Sequence, residues 1–256
     1  MIVSTDPLEP AAVAEHRRTG HVGGHDVAYR ERGSGPHGVV LVHGIGVSSR
    51  YFTPLARELA GAGRVLMPDL PGFGLSPRPQ APLSIAEHAR VLGALVAASG
   101  LDRPVLVGHS MGTQVVTELA AQQPGLVDRL VLIGAVIEPA ARSAARQAWR
   151  LVRDARHETF AANRLMVADW LRCGPRWYGA TLPTMLEYPL VERLAEVQEP
   201  VVLVRGSRDP VTPAGFLHVL AGAARTATIS EVPHEGHIAM YRSPGAVAAL
   251  CRRVPC

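Results

Sequence analysis

Residues 105–112 read VLVGHSMG, and this stretch predicts the fold of the chain more directly than any other. The apolar residues 105–107 have the composition of a buried strand, the pattern Gly-x-Ser-x-Gly follows at 108–112, and a helix-like segment comes next at 113–123. A strand, a sharp turn and a helix in this order hold the central serine at the tip of a strained turn, where flanking glycines permit close packing. Ser110 is therefore a candidate nucleophile. A serine that only shapes a turn is the alternative.

Short apolar runs alternate with helical segments on both sides of this turn. Ser84, followed by Glu87, has the spacing of a capping box, and Gly100 is a stop signal for the same helix. The predicted strands are a hairpin within 22–32 and the runs 39–42, 64–68, 105–108, 130–136, 201–204 and 227–232; the predicted core helices are 52–60, 82–99, 113–123, 213–221 and 244–252. Residues 1–20 are predicted to be irregular. Alternation of this kind predicts an α/β fold, with a mostly parallel eight-stranded sheet flanked by helices.

The alternation stops between residues 138 and 197, where no apolar strand run occurs. This stretch is helical in composition, and it contains all three tryptophans. We therefore predict a helical cap at 138–197, inserted into a core domain made of 1–137 and 198–256. Its aromatic side chains are candidates to line a substrate pocket, and a small core within the cap is the alternative. These candidates are Trp149, Trp170, Trp177 and Tyr178.

The charge of the chain carries little functional information. The formal net charge is +4, and every one of the 26 basic residues is arginine. The absence of lysine excludes a P-loop and Schiff-base chemistry, and the all-arginine usage is typical of a coding bias, so we expect no nucleic-acid partner. Four arginines, Arg142, Arg146, Arg150 and Arg153, share one helical face. That face is expected to be solvated, with an acidic substrate group as the alternative.

The three cysteines and residues 1–20 indicate which cofactors and which cellular compartment to expect. Cys173, Cys251 and Cys256 have no metal-site spacing, and thiols in a reducing compartment are the simplest interpretation. Residues 1–20 contain no apolar segment typical of a signal peptide or a membrane span. We therefore expect a cytoplasmic protein with no cofactor, no bound metal and no membrane partner. Composition leaves a homodimer open.

Polar residues follow several predicted strands, at the edge of the sheet where functional groups of α/β proteins gather. Ser110, Asp209 and His237 occur there in the chain order that a nucleophile elbow requires of its triad. His237 would take the serine proton, and Asp209 would orient the imidazole. His234, three residues earlier, is an alternative base, and a local turn before Pro210 is an alternative role for Asp209.

An oxyanion formed at this site would need backbone donors. The N–H of Met111, directly after the candidate nucleophile, is one candidate, and the N–H of Ile45, in the loop after strand 39–42, is the other. His43 and Gly44 belong to the same loop, and we expect them to shape it and to border the substrate. Structural roles are expected for two nearby polar residues, Asp69, which would hold a turn, and His109, which would point away from the site.

On these residues the sequence resembles the α/β-hydrolase fold family. The matching segments are 43–46 (HGIG), 69–76 (DLPGFGLS), 108–112 (GHSMG), 206–210 (GSRDP) and 236–237 (GH), in the family's order. Together they cover about residues 22–252. The haloalkane dehalogenases and epoxide hydrolases of this family have an aspartate where Ser110 stands. The resemblance therefore implies ester-type chemistry.

The resemblance implies a serine hydrolase that cleaves a carboxylic ester, lactone or thioester through an acyl-enzyme. Two alternatives use the same triad, namely C–C bond hydrolysis and acyl transfer, although C–C hydrolases usually carry tryptophan where this chain has Ile238. A third alternative is a ligand-binding, receptor-like protein with little turnover. The expected partner is a small molecule, an apolar or mixed acyl compound.

Overall fold

Eight strands form one sheet in the order β1-β2-β4-β3-β5-β6-β7-β8 in a computed structural model, which describes residues 14–138, 142–156 and 158–252. Strands β3 to β8 are parallel, and β1 and β2 form an antiparallel hairpin at one edge. The strands are β1 His16–Val22, β2 His25–Arg32, β3 Gly38–Val42, β4 Arg64–Pro68, β5 Val105–His109, β6 Arg129–Ile133, β7 Val201–Gly206 and β8 Ala227–Val232. The predicted mostly parallel, eight-stranded sheet is confirmed.

Helices cover both faces of the sheet because the central strands are apolar on both sides. Val40 and Val42 of β3 face one core, which holds the buried sides of α2, α3, α7 and α8, whereas Val39 and Leu41 face a second core under α1, α9 and α10. This alternation follows from the two-residue period of a strand. The helices are α1 Thr53–Ala60, α2 Ile85–Ser99, α3 Met111–Gln122, α4 Ala144–Asp154, α5 Phe160–Cys173, α6 Pro175–Glu187, α7 Leu190–Leu194, α8 Ala214–Ala223, α9 Ala239–Arg242 and α10 Pro244–Cys251.

The first strand is the main departure from the predicted elements. β1 occupies residues predicted to be irregular, because it forms by pairing with β2 and its side chains are mostly exposed, so it has no alternating pattern. Residues 1–13 lie outside the described residues. β6 ends at Ile133 rather than at residue 136, since Gly134 turns the chain with a φ of 59°. The predicted helix at 82–99 begins at Ile85, after the cap residue Ser84.

Four helices, α4 to α7, lie between β6 and β7, in the segment for which a cap was predicted. The last part of this insertion packs on the sheet layer. Leu190 and Leu194 of α7 are buried in the core that also holds α3, and Tyr188 donates a hydrogen bond of 2.8 Å to Glu118 of α3. The division into a core domain and a cap remains a prediction.

Cys173 and Cys251 are buried free thiols, and Cys256 lies outside the described residues. Across the three described stretches, no helix is long and apolar enough to cross a membrane. In the same stretches, no group of three or more histidine, cysteine or acidic side chains is arranged to hold a metal ion.

Candidate active site

Ser110 sits at the turn between β5 and α3 with φ 54° and ψ −123°. A positive φ is costly for a residue with a side chain, so neighbouring contacts must hold this backbone in place. The Ser110 N–H donates to the Ile133 carbonyl at 3.0 Å, and the Ser110 carbonyl accepts from the N–H and the hydroxyl of Thr113 at 2.9 and 2.6 Å. A Cβ at Gly108 or Gly112 would collide with backbone atoms, which explains why glycine flanks the serine.

Asp209 and His237 come from the loops after β7 and β8, at the same edge of the sheet. The ring nitrogen His237 Nδ1 lies 2.9 Å from Asp209 Oδ2. The other carboxylate oxygen of Asp209 accepts from the N–H groups of Val211 and Thr212 at 2.7 and 3.2 Å. These bonds leave His237 Nε2 as the free ring nitrogen, which is buried and has no hydrogen-bond partner within the described part of the chain.

The charges of this pair support each other. Burial acts to raise the pKa of the Asp209 carboxyl, but the charge and hydrogen bond of His237 hold that pKa below its ordinary value. Burial acts to lower the pKa of His237, but the adjacent Asp209 carboxylate raises that pKa above 6.5. An anionic aspartate therefore stabilises a protonated imidazole at this position.

A small, partly open cavity of about 30 Å³ lies between the insertion and the sheet and brings Ser110, His237 and Ile45 together. A space of this size holds about one water-sized group. Its lining residues are Gly44, Ile45, Val47, Tyr51, His109, Ser110, Leu151, Met166, Trp170, Tyr178 and His237.

The loop after β3 is shaped by His43. This ring is buried, and burial lowers its pKa. The Leu70 N–H donates to His43 Nε2 at 2.9 Å, so the proton lies on Nδ1, which donates to the Gly44 carbonyl at 2.7 Å. Gly44 approaches Ser110 so closely that an added Cβ would lie 2.9 Å from the serine Cβ. His43 therefore holds the loop from behind and does not line the cavity, whereas Ile45 does.

Met111 is the first residue of α3, where backbone N–H groups have no partner inside the helix. Its side chain is fully buried in the core beneath the sheet edge. Only its backbone can therefore face the serine. The role of its N–H as an oxyanion donor stays a prediction.

The prediction that His109 points away from the site is wrong, because its ring lies 4.7 Å from the His237 ring, between centroids, and the residue borders the cavity. The Tyr51 hydroxyl lies 2.8 Å from His109 Nδ1 and accepts from the Gly44 N–H at 3.1 Å. His109 Nε2 lies 3.1 Å from the His237 carbonyl. Burial, followed by the nearby His237 charge, holds the pKa of His109 well below 6.5, so the ring is neutral. A chain of hydrogen bonds thus joins the Gly44 loop to the His237 loop.

The two other polar candidates lie away from the cavity. His234 is exposed, has a φ of 66°, and its N–H donates to the Ser207 hydroxyl at 2.8 Å. The structure therefore places His237, and not His234, beside the aspartate. Asp69 holds two loops together, since its carboxylate accepts from the N–H groups of Ser49 at 2.7 Å and Leu75 at 2.8 Å.

The four aromatic candidates divide into two pairs. Trp170 and Tyr178 line the cavity beside Ser110. Trp149 is 60% exposed and borders a separate groove with several arginines, where Arg153 lies 5.5 Å from its ring. Trp177 packs over Gly72 and lies 5.7 Å from Arg78. The structure therefore does not bring Trp149 and Trp177 to the cavity.

Comparison with known proteins finds both related sequences and structures of similar fold. An uncharacterized Mycobacterium tuberculosis protein is 41% identical over 118 residues, which are 46% of this chain and 34% of that protein, so the chain matches about a third of its length. The pimeloyl-[acyl-carrier protein] methyl ester esterase of Aromatoleum aromaticum is 27% identical, with 84% of this chain and 97% of that protein covered. A hydrolase structure from Pseudomonas aeruginosa has a TM-score of 0.78 at 22% identity, covering 91% of this chain and 96% of that one.

The sequence model of the alpha/beta hydrolase family matches residues 39–250. That range begins in β3 and ends in α10, so it includes the loops of Ser110, Asp209 and His237 and the helical insertion. The chain belongs to the alpha/beta hydrolase family.

Proposed function

We propose that this hydrolase cleaves carboxylic esters through an acyl-enzyme, with Ser110 as nucleophile, His237 as general base and Asp209 as the residue that orients the base. One observation carries the proposal. The His237 ring is held by Asp209 at 2.9 Å, and its other nitrogen is unpartnered in the described chain, while the ring shares a small cavity with Ser110. A ring oriented in this way can accept the proton of a serine hydroxyl.

The reaction follows from this arrangement. Ser110 Oγ attacks the ester carbonyl carbon as His237 Nε2 removes the hydroxyl proton. The N–H groups of Ile45 and Met111 donate to the oxyanion of the tetrahedral intermediate. The intermediate collapses, the leaving alcohol takes the proton from His237, and water then hydrolyses the acyl-enzyme by the same steps in reverse order.

The space around the cavity favours an apolar acyl group. An open groove of about 550 Å³ runs between α4, α5 and α6, and its walls are almost entirely apolar. It shares three residues with the cavity at Ser110, namely Leu151, Trp170 and Tyr178. An apolar groove that meets a small polar centre suits an aliphatic or aromatic acyl chain.

Labelling with a fluorophosphonate, combined with turnover of p-nitrophenyl esters of increasing chain length, tests the proposal. We expect one adduct, at Ser110, and turnover that improves from acetyl to medium-chain esters. The variant Ser110→Ala should lose both signals. An intact protein without an adduct at Ser110 would refute the nucleophile, and labelling without turnover of any ester would refute the ester substrate.

The base is tested by a matched pair of histidine variants. His237→Ala is expected to lower kcat by roughly 10⁴-fold or more, because triad members act as a unit. His234→Ala, which changes an exposed histidine three residues away, should retain the activity of the parent protein. Loss of activity in His234→Ala alone would show that the wrong base has been assigned.

A further inference from the structure

Two carboxylates reach from the end of α4 and the segment after it to the loop that carries His237. Asp154 Oδ1 accepts from the His237 N–H at 2.8 Å, and Glu158 Oε1 lies 3.4 Å from the Ile238 N–H. These two N–H groups belong to the peptide units on either side of the His237 Cα. The insertion therefore holds the backbone of the proposed base from both sides.

Gly236 makes this approach possible. A Cβ at this position would lie 2.6 Å from Glu158 Oε1 and 2.7 Å from Asp154 Oδ1. Both oxygens thus converge on the space that a side chain would fill. The glycine before His237 is explained by the two carboxylates packed against it, since its φ does not require glycine.

The surroundings make these carboxylates electrostatically significant. Asp154 is 5% exposed, and one oxygen of Glu158 is buried without a hydrogen-bond partner in the described chain. The groups that face His237 are Asp209, the neutral His109 ring at 4.7 Å between centroids, Asp154 and Glu158. Glu158 also faces Arg242, which pairs with Glu235 at 3.2 Å. Burial, reinforced by the nearby Asp154, raises the pKa of Glu158 to about 7.

We propose that Asp154 and Glu158 are positioning residues for His237, which fix its loop through the two flanking N–H groups and stabilise the protonated imidazole. The inference rests on the proposed function in so far as His237 is the base. It assigns the insertion a part in the reaction besides enclosing the substrate.

The isosteric variants Asp154→Asn and Glu158→Gln separate charge from shape, because each retains an acceptor oxygen while losing the negative charge. We expect the His237 ring to titrate at lower pH in both variants when followed by NMR, with the larger change in Asp154→Asn, because Glu158 becomes mostly anionic only above about pH 7. The acidic limb of the pH profile of kcat/KM for a p-nitrophenyl ester should also move to lower pH, with KM unchanged. Glu192→Gln, which removes an exposed carboxylate from α7 of the same insertion, is the control and should change neither quantity.

Removing the acceptor tests the positioning role. Asp154→Ala is expected to lower kcat roughly 10- to 100-fold, since small misplacement of a catalytic group has large effects. Asp154→Asn should have a kcat close to that of the parent protein at pH values above the acidic limb. If Asp154→Ala does not fold, the Asn and Gln variants still decide the question through the His237 titration.

The proposal is overturned if the folded Asn and Gln variants have the same His237 titration and the same acidic limb as the parent protein. The NMR titration needs no turnover, so it remains interpretable even if Ser110 is not labelled and the proposed function fails. In that case, a shifted titration would still support the contact of the two carboxylates with His237. It would reject only the role of this contact in ester hydrolysis.

Discussion

At the scale of single residues, the geometry of the candidate site depends on glycines, which have no side chain, as much as on its polar side chains. Ser110 is held at a positive φ, and its turn is surrounded by glycines whose Cβ positions are already occupied by other atoms. Gly44 is the clearest case outside the turn, because a Cβ there would press on the Cβ of Ser110. The position of the serine hydroxyl is therefore controlled by its neighbours.

We predict that Gly44→Ala slows fluorophosphonate labelling of Ser110 by about tenfold or more, because the added methyl group displaces the serine or its loop. The rate of labelling, measured on the folded variant, checks this. Gly222→Ala is the matched control, since the same methyl group enters open space in α8 and should stabilise the fold by about 0.5–1 kcal/mol. Equal labelling rates in the two variants would contradict the prediction.

At the scale of elements, α2 shows how local signals alone define a helix. The Glu87 N–H donates to the Ser84 hydroxyl at 3.2 Å, and the Glu87 carboxylate accepts from the Ser84 N–H at 2.8 Å. Gly100 ends the helix in the left-handed conformation with φ 69°. Both ends of α2 are therefore satisfied by residues within a few positions, and the capping box predicted from the sequence is present.

We predict that Ser84→Ala lowers the free energy of unfolding by about 1 kcal/mol, the usual effect of losing a helix cap. Hydrogen bonds from Ser84 lower the pKa of Glu87, so the capping contribution is present above the ordinary value of 4.5 and is lost as pH falls through the lowered value. Urea unfolding at neutral and acidic pH measures both effects. A difference between variant and parent that is unchanged in acid would contradict the role of the carboxylate.

At the scale of the whole molecule, the insertion is fastened to the loops that form the site. Asp169 of α5 accepts from the N–H and the hydroxyl of Ser48 at 3.1 and 2.6 Å, next to the loop of Ile45. Asp154, at the end of α4, binds the loop of His237, as described above. Movement of the insertion would therefore displace both of these loops of the candidate site.

The half-buried carboxylate of Glu158 predicts an unusual dependence of stability on pH. Its pKa is about 7 in the folded protein against 4.5 ordinarily, so between these values the folded chain retains a proton that the unfolded chain has released. Stability therefore falls as pH rises across this window. Glu158→Gln should flatten the decline in Tm between pH 5 and 7, measured by thermal unfolding.

His237 makes a separate contribution to this profile. Its pKa in the folded protein is raised above 6.5, so the stability it adds is complete below that pH and is lost as pH rises through the raised value. A decline in stability as pH rises toward 6.5 is therefore due mainly to Glu158. If Glu158→Gln has the same slope there as the parent protein, the carboxylate is not the cause.

Sequence alone determined the sheet, its central strands and the loops that carry Ser110, Asp209 and His237. Those features depend on short-range patterns, namely apolar runs of strand length, capping residues and glycines at a tight turn. The loops meet because parallel strands carry their carboxyl ends to one edge. That rule alone predicts that these three loops lie at one edge of the sheet.

Only the tertiary structure decided which side chains enter the site. It placed His109 at the border of the cavity, left Trp149 and Trp177 outside it, and formed β1 from residues without a strand pattern. It also brought Asp154 to His237, across 83 positions of the chain. Such contacts depend on how the insertion packs over the sheet. The sequence pattern around Asp154 and the pattern around His237 do not indicate how close these two residues lie in space.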